Sequence, residues 1–94
     1  MIDINSVISK KQNLIESNFQ DCIMLYDVEE GKYYVLNEMG SIIWSQLEEK
    51  QGKEIKAIIE NIKLLFPQKI DSIERDAITF VESMLSKRIV YLRG

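Results

Sequence analysis

Two β-rich runs around a glycine-containing turn constrain this chain more than any other feature. Cys22-Ile23-Met24-Leu25-Tyr26-Asp27-Val28 and Lys32-Tyr33-Tyr34-Val35-Leu36 flank Glu29-Glu30-Gly31. Both runs are rich in β-branched and aromatic residues, and Gly31 can take the positive φ that a tight connection needs, so the segment reads as a hairpin. Leu14-Ile15-Glu16-Ser17 reads as a short strand ahead of it. Residues 1–12 are polar and weakly patterned, and the expectation for them is a loosely ordered lead-in.

At Asn37 the period changes from two to 3.6. Asparagine is a favoured N-cap because its side chain accepts from the first free helical amides. Met39, Ile42, Ile43 and Leu47 then fall at helical intervals across Glu38 to Glu49, with Trp44 beside them. Gly52 interrupts the pattern. Lys53 to Phe66 resumes it, with Ile55, Ile58, Ile59, Ile62, Leu65 and Phe66 on one stripe, and Pro67 stops it. Asp71-Ser72-Ile73-Glu74 reads as a capping box opening a third helix that runs to about Lys87. Ile89-Val90-Tyr91-Leu92 is a closing strand or an extended tail.

The order implies an α+β fold: a three-stranded antiparallel sheet followed by three helices. Those are the parts of a winged helix-turn-helix. No repeat or linker divides the sequence, so residues 1–94 read as a single domain.

Composition narrows function mainly by exclusion. The chain has no histidine, the commonest general base and metal ligand, and its single cysteine, Cys22, sits among apolar neighbours. The four glycines form no phosphate loop, and Glu29-Glu30 and Glu48-Glu49 read as solvated surface charge. No enzyme activity, cofactor or metal is therefore expected. One cysteine, no signal peptide and no run of the roughly 20 apolar residues that span a bilayer suit the cytoplasm, away from membranes. The net charge of −3 carries no sequence-wide attraction for nucleic acid.

Two features stand above that background. In Lys32, Tyr33, Tyr34, Val35 and Leu36, adjacent tyrosines point to opposite faces of a sheet, so one of them cannot serve the core. An edge strand there would offer free backbone groups to an incoming peptide. Surface cover or internal pairing accounts for the same residues equally well. In the third helix, Ile73, Ala77, Phe80 and Met84 form a core stripe, and Ile78, Val81 and Leu85 extend it to one side, bordered by Arg75 and Glu82. That flank suits either a groove or burial against another helix. As a DNA-recognition helix it is poor, because Asp71, Glu74, Asp76 and Glu82 outweigh Arg75, Lys87 and Arg88. A winged-helix DNA-binding regulator is thus the second reading.

The block from Asp27 to Trp44 resembles the PqqD-like family, in its strand end Tyr34-Val35-Leu36-Asn37, then Gly40, then Ile43-Trp44. The stretch Asp76 to Leu85 resembles the family's third helix, and the likeness covers roughly residues 13–92. Arg88 stands where the family usually has glycine, and Ala77 replaces the usual valine. The resemblance implies a RiPP recognition element, which binds the leader segment of a ribosomally made precursor peptide. It implies that the leader adds as an antiparallel strand to the third strand and packs on the third helix. Carried over, main-chain contacts fall on Lys32 to Leu36, and helix contacts on residues among Arg75, Ile78, Thr79, Glu82 and Leu85. A stand-alone module of this size looks most like the leader-binding proteins of lasso-peptide pathways, which work beside a separate leader peptidase. PqqD itself, serving a radical-SAM enzyme, is the nearest variant.

Overall fold

The computed structural model describes residues 2–93, apart from the side chains of residues 69 and 70. In chain order the elements are β1 (Val7–Lys10), β2 (Leu14–Phe19), β3 (Cys22–Asp27), β4 (Lys32–Leu36), α1 (Glu38–Ser45), β5 (Lys53–Glu54), α2 (Ile55–Leu65), α3 (Ile70–Ser86) and β6 (Val90–Arg93). They make two antiparallel sheets, ordered β2-β3-β4 and β5-β1-β6, beside the three helices. The first sheet and the helices are the α+β, winged-helix-like arrangement that the hydrophobic pattern implied.

The second sheet was only half legible. Residues 7–10 are not a loose lead-in: β1 is the central strand, pairing Ile8 with both Lys53 and Leu92. Ile8 is fully buried and Ser9 nearly so. Four residues with one strong apolar side chain carry too little period-two signal to announce a strand. The closing strand appears as β6.

Helix ends differ from the periodicity for identifiable reasons. The helix expected over Glu38 to Glu49 stops at Ser45, where the Gln46 and Leu47 amides donate to Ile43 and Trp44 in i→i+3 fashion. The Glu48 carbonyl instead accepts from the Lys10 amide of β1 at 2.9 Å. Helix α2 starts two residues late because Lys53 and Glu54 pair with β1. Its first amides, from Ile55 and Lys56, donate to Ser6 and Ile4 carbonyls at 3.0 and 2.7 Å, so no side-chain cap is needed. Leu65, placed on the apolar stripe by its spacing, is exposed, and Ile55, Ile58, Ile59 and Ile62 carry the burial. The capping box also fails. A 3₁₀ turn over Pro67–Lys69 leads into α3 at Ile70, so Asp71 lies within the first turn, where it favours the helix dipole, and not at the N-cap.

Asn37 caps α1 as expected, its Oδ1 accepting from the Gly40 amide at 2.7 Å. One turn on, the buried Ser41 hydroxyl accepts from the Ile23 amide at 2.8 Å and donates to the Leu36 carbonyl at 3.3 Å. This side chain ties the start of α1 to the ends of β3 and β4. Ile43 and Trp44 then drop into the core with Ile8, Leu25 and Ile58. Strand β4 is thereby clamped at its Leu36 end, and α3 crosses beside it.

Candidate functional site

Strand β4 lies at the edge of its sheet, paired on one side to β3 through Tyr33↔Tyr26, Tyr34↔Leu25 and Val35↔Met24. An edge strand turns alternate amides and carbonyls away from its neighbour. Side-chain parity is unambiguous. Tyr33 and Val35 are 71% and 68% exposed, whereas Tyr34 is half-buried and Leu36 is buried. Tyr33 leans on Tyr26 with ring centroids 4.5 Å apart, which fixes the outward face.

The free edge looks across a hollow of about 520 Å³ to Phe80, Ser83, Met84 and Lys87 on α3. The Lys87 ammonium stands 5.9 Å from the centre of the Tyr34 ring, a cation–π distance. A second hollow of about 590 Å³ continues past Asn37, Met39 and Gly40 to Ser72, Asp76 and Thr79. The two share Asn37, Phe80 and Ser83, and so form one groove along β4 and the start of α1. Phe80 sits at its waist. Its ring packs on Gly40, where a Cβ would come within 2.5 Å of the ring.

Five of the residues expected at a site, Lys32 to Leu36, form this edge. The helix set is dispersed. Arg75, Ile78 and Glu82 line a separate shallow hollow on another flank of α3, with Asp71 and Glu74, and only Thr79 also reaches the groove. Leu85 is half-buried against the core. The cause is helix rotation. The buried arc is Ile73, Ala77, Val81 and Met84, with Phe80 on one shoulder and Ile78 and Leu85 on the other. Phe80, expected in the core stripe, is only partly buried and stands on the shoulder toward the strand, while Val81, expected on the flank, is buried in its place; helical spacing alone does not fix that rotation. The groove residues missed were Asn37, Met39 and Gly40 at the start of α1 and Ser72, Asp76, Phe80, Ser83, Met84 and Lys87 along α3. The usable signal was the glycine in α1, an opening that a large side chain elsewhere had to fill.

The groove holds backbone donors and acceptors along one wall, an apolar floor and two charges. Among the described residues no group of three or more His, Cys, Asp or Glu side chains can hold a metal ion. Such a surface can align an extended chain. The perturbed titrating pair lies elsewhere. Lys11 donates to Asp27 at 2.8 Å, and that hydrogen bond holds the Asp27 carboxyl below its usual range and raises the Lys11 ammonium above its own, with burial opposing both. Asp27 also accepts from the Glu29 and Glu30 amides at 3.1 and 3.2 Å, which shapes the β3–β4 turn.

A family model for coenzyme PQQ synthesis protein D matches residues 22–90, well over half of the sequence. The chain belongs to the PqqD family. The match starts at β3 and ends in β6, so it takes in the β4 edge, α1 and the whole of α3. Among solved structures, TbiB1 in complex with the TbiA(beta) leader peptide shares 27% identity with this PqqD-family chain. The similarity covers 92% of this chain and 95% of that one at a TM-score of 0.74. No curated protein matches.

The C-terminal end of α3 explains what the residue at position 88 must do. Helix α3 ends with the Ile89 amide bonded to the Met84 carbonyl and the Arg88 amide to the Leu85 carbonyl, at 3.2 and 3.0 Å. Those two bonds make a Schellman motif, with Arg88 at φ +61°, the left-handed position that glycine fills most easily. Here arginine adopts that backbone.

Proposed function

We propose that this PqqD-family chain binds the leader segment of a ribosomally synthesised precursor peptide by strand addition to β4. The observation that carries the reading is the free β4 edge facing α3 across one continuous groove. Backbone pairing supplies register, and side chains of alternate peptide residues enter the groove beside Phe80 and Met84. Ordering a flexible leader costs free energy, so the apolar floor must contribute a surplus. The likeness to TbiB1, described with a leader peptide bound, supports the same reading.

The module acts without catalysis of its own, in the cytoplasm, and presents the leader to a separate processing enzyme. The reading takes a leader peptidase of a lasso-peptide pathway as that enzyme, with a radical-SAM enzyme as the variant. Presentation works by raising the local concentration of the tethered precursor near that enzyme. Among the described residues no helix is long and apolar enough to cross a membrane.

The test is titration of leader segments from short peptide genes neighbouring this one, followed by backbone amide shifts. Saturable shifts concentrated on Tyr33 to Leu36 and on Phe80, Ser83 and Lys87 are expected. Shifts confined to Arg75, Ile78 and Glu82, or salt-sensitive binding to random duplex DNA without a peptide response, would overturn the reading. The exposed acidic side chains Asp71, Glu74, Asp76 and Glu82 on α3 make the DNA outcome electrostatically unfavourable.

A further inference from the structure

We propose that the groove reads charge order: its peptide carries a basic side chain toward the N-terminal end and an acidic one about four residues later. This rests on the strand-addition reading above. The charged groups around the groove are segregated. At the end where β4 begins stand Lys87 of α3 and Lys32 of β4, the latter on the same strand face as Tyr34 and Leu36. At the end where β4 gives way to α1 stand Asp76 of α3, lining the hollow with Asn37 and Gly40, and Glu38 in the first turn of α1. Between them Ser83, Phe80, Asn37 and Met84 are uncharged. Of the acidic residues at the basic end, Asp27, the cross-strand partner of Lys32, is 2.8 Å from Lys11 and Glu29 is 3.5 Å from it, while Glu30, in the turn before Lys32, forms no ion pair among the described residues. Neither Asp76 nor Lys87 forms an ion pair among the described residues.

Geometry converts this polarity into a sequence rule. Asp76 and Lys87 are eleven residues apart on the α3 frame, about 16 Å at 1.5 Å per residue. An extended chain rises about 3.3 Å per residue and returns to the same face every second residue, so four residues span about 13 Å on one face. A strand antiparallel to β4 enters beside Asp76 and leaves beside Lys87. Its basic side chain must therefore come first.

Both charges are exposed, so each contact is worth at most about a fivefold change in affinity. Swapping the two peptide charges turns two attractions into two repulsions, and the forward peptide should then bind about three- to tenfold more tightly than its swapped twin. Screening at 1 M salt, where the Debye length is about 3 Å, should erase the preference without abolishing binding.

The experiment selects random twelve-residue displayed peptides on the wild-type chain and on Asp76→Lys/Lys87→Glu. The wild type should enrich Lys or Arg followed about four residues later by Asp or Glu, and the double variant the inverted order. Lys87→Gln alone should lose the acidic preference and keep the basic one, a second readout if the double variant folds poorly. Enrichment of peptides that shift the Tyr33 to Leu36 amides but show no charge order, or the same order on every variant, overturns the proposal. Asp76 and Lys87 would then be solvated surface charges without a role in peptide choice. Failure to enrich any peptide at the β4 edge overturns strand addition itself.

Discussion

The ring of Phe80 occupies the space where a Cβ on Gly40 would stand, with Cε1 2.5 Å from that position. A residue in α1 thus sets where a side chain from α3 lies in the groove. Gly40→Ala should displace the ring into the groove, lower stability and weaken leader binding. In a Phe80→Ala background only the Asn37 Oδ1 stays close, at 3.1 Å, and alanine should instead stabilise α1 by up to about 1 kcal/mol through its higher helix propensity, less what that capping atom must give. A thermal-denaturation double-mutant cycle checks the reversal of sign. Additive effects would show that the two residues do not interact.

Proline scanned through Tyr33, Tyr34 and Val35 should divide by parity. Where the amide points to β3, proline removes a ladder bond and the melting temperature falls. Where it points outward, the fold survives and leader affinity drops at least about fivefold, the worth of one amide hydrogen bond near 1 kcal/mol. A folded proline variant at an outward amide with unchanged affinity would show that the edge is not used.

Arg88→Gly should stabilise the chain. A non-glycine residue in the left-handed region costs roughly 1 kcal/mol or more, and the Schellman bonds from Arg88 and Ile89 persist without the side chain. The expected gain, reduced by the greater chain entropy of unfolded glycine, is up to about 1 kcal/mol in chemical denaturation. A loss would mean that the arginine side chain supplies more than the backbone costs.

The Lys11–Asp27 pair gives stability a defined pH window. Asp27 has its folded pKa below the usual 3.8, so its contribution is present above that value and fades as pH falls through the lowered one. Lys11 has its folded pKa above the usual 10.5, so its contribution is complete below that value and fades as pH rises through the raised one. Asp27→Asn should lower the melting temperature at pH 7 and make little difference near pH 2. An equal deficit at both would show that the charge pairing with Lys11 is not its source, since asparagine can still accept from the Glu29 and Glu30 amides.

The hairpin, the Asn37 cap, the buried Ile43-Trp44 pair and the isoleucine stripe of α2 were legible in the residues. Each rests on a local rule: a turn glycine, a capping side chain, or apolar spacing that matches one element's own period. Strand β1 was not legible, because Ile8 is buried by partners at Lys53 and Leu92 that lie far along the chain. The early end of α1 belongs to the same class, since the Glu48 carbonyl is taken by Lys10.

For the groove, sequence determined one wall and tertiary structure the other. Adjacent Tyr33 and Tyr34 already meant that one ring must leave the core, since successive strand residues face opposite ways. That β4 is an edge, and that it faces Phe80, Ser83 and Lys87 and not Arg75, Ile78 and Glu82, follows from how α3 is rotated about its axis. A helix with apolar residues on both shoulders of its core stripe can satisfy its own hydrophobicity in either rotation. The close fit of Phe80 against Gly40, a contact between residues forty positions apart, selects one.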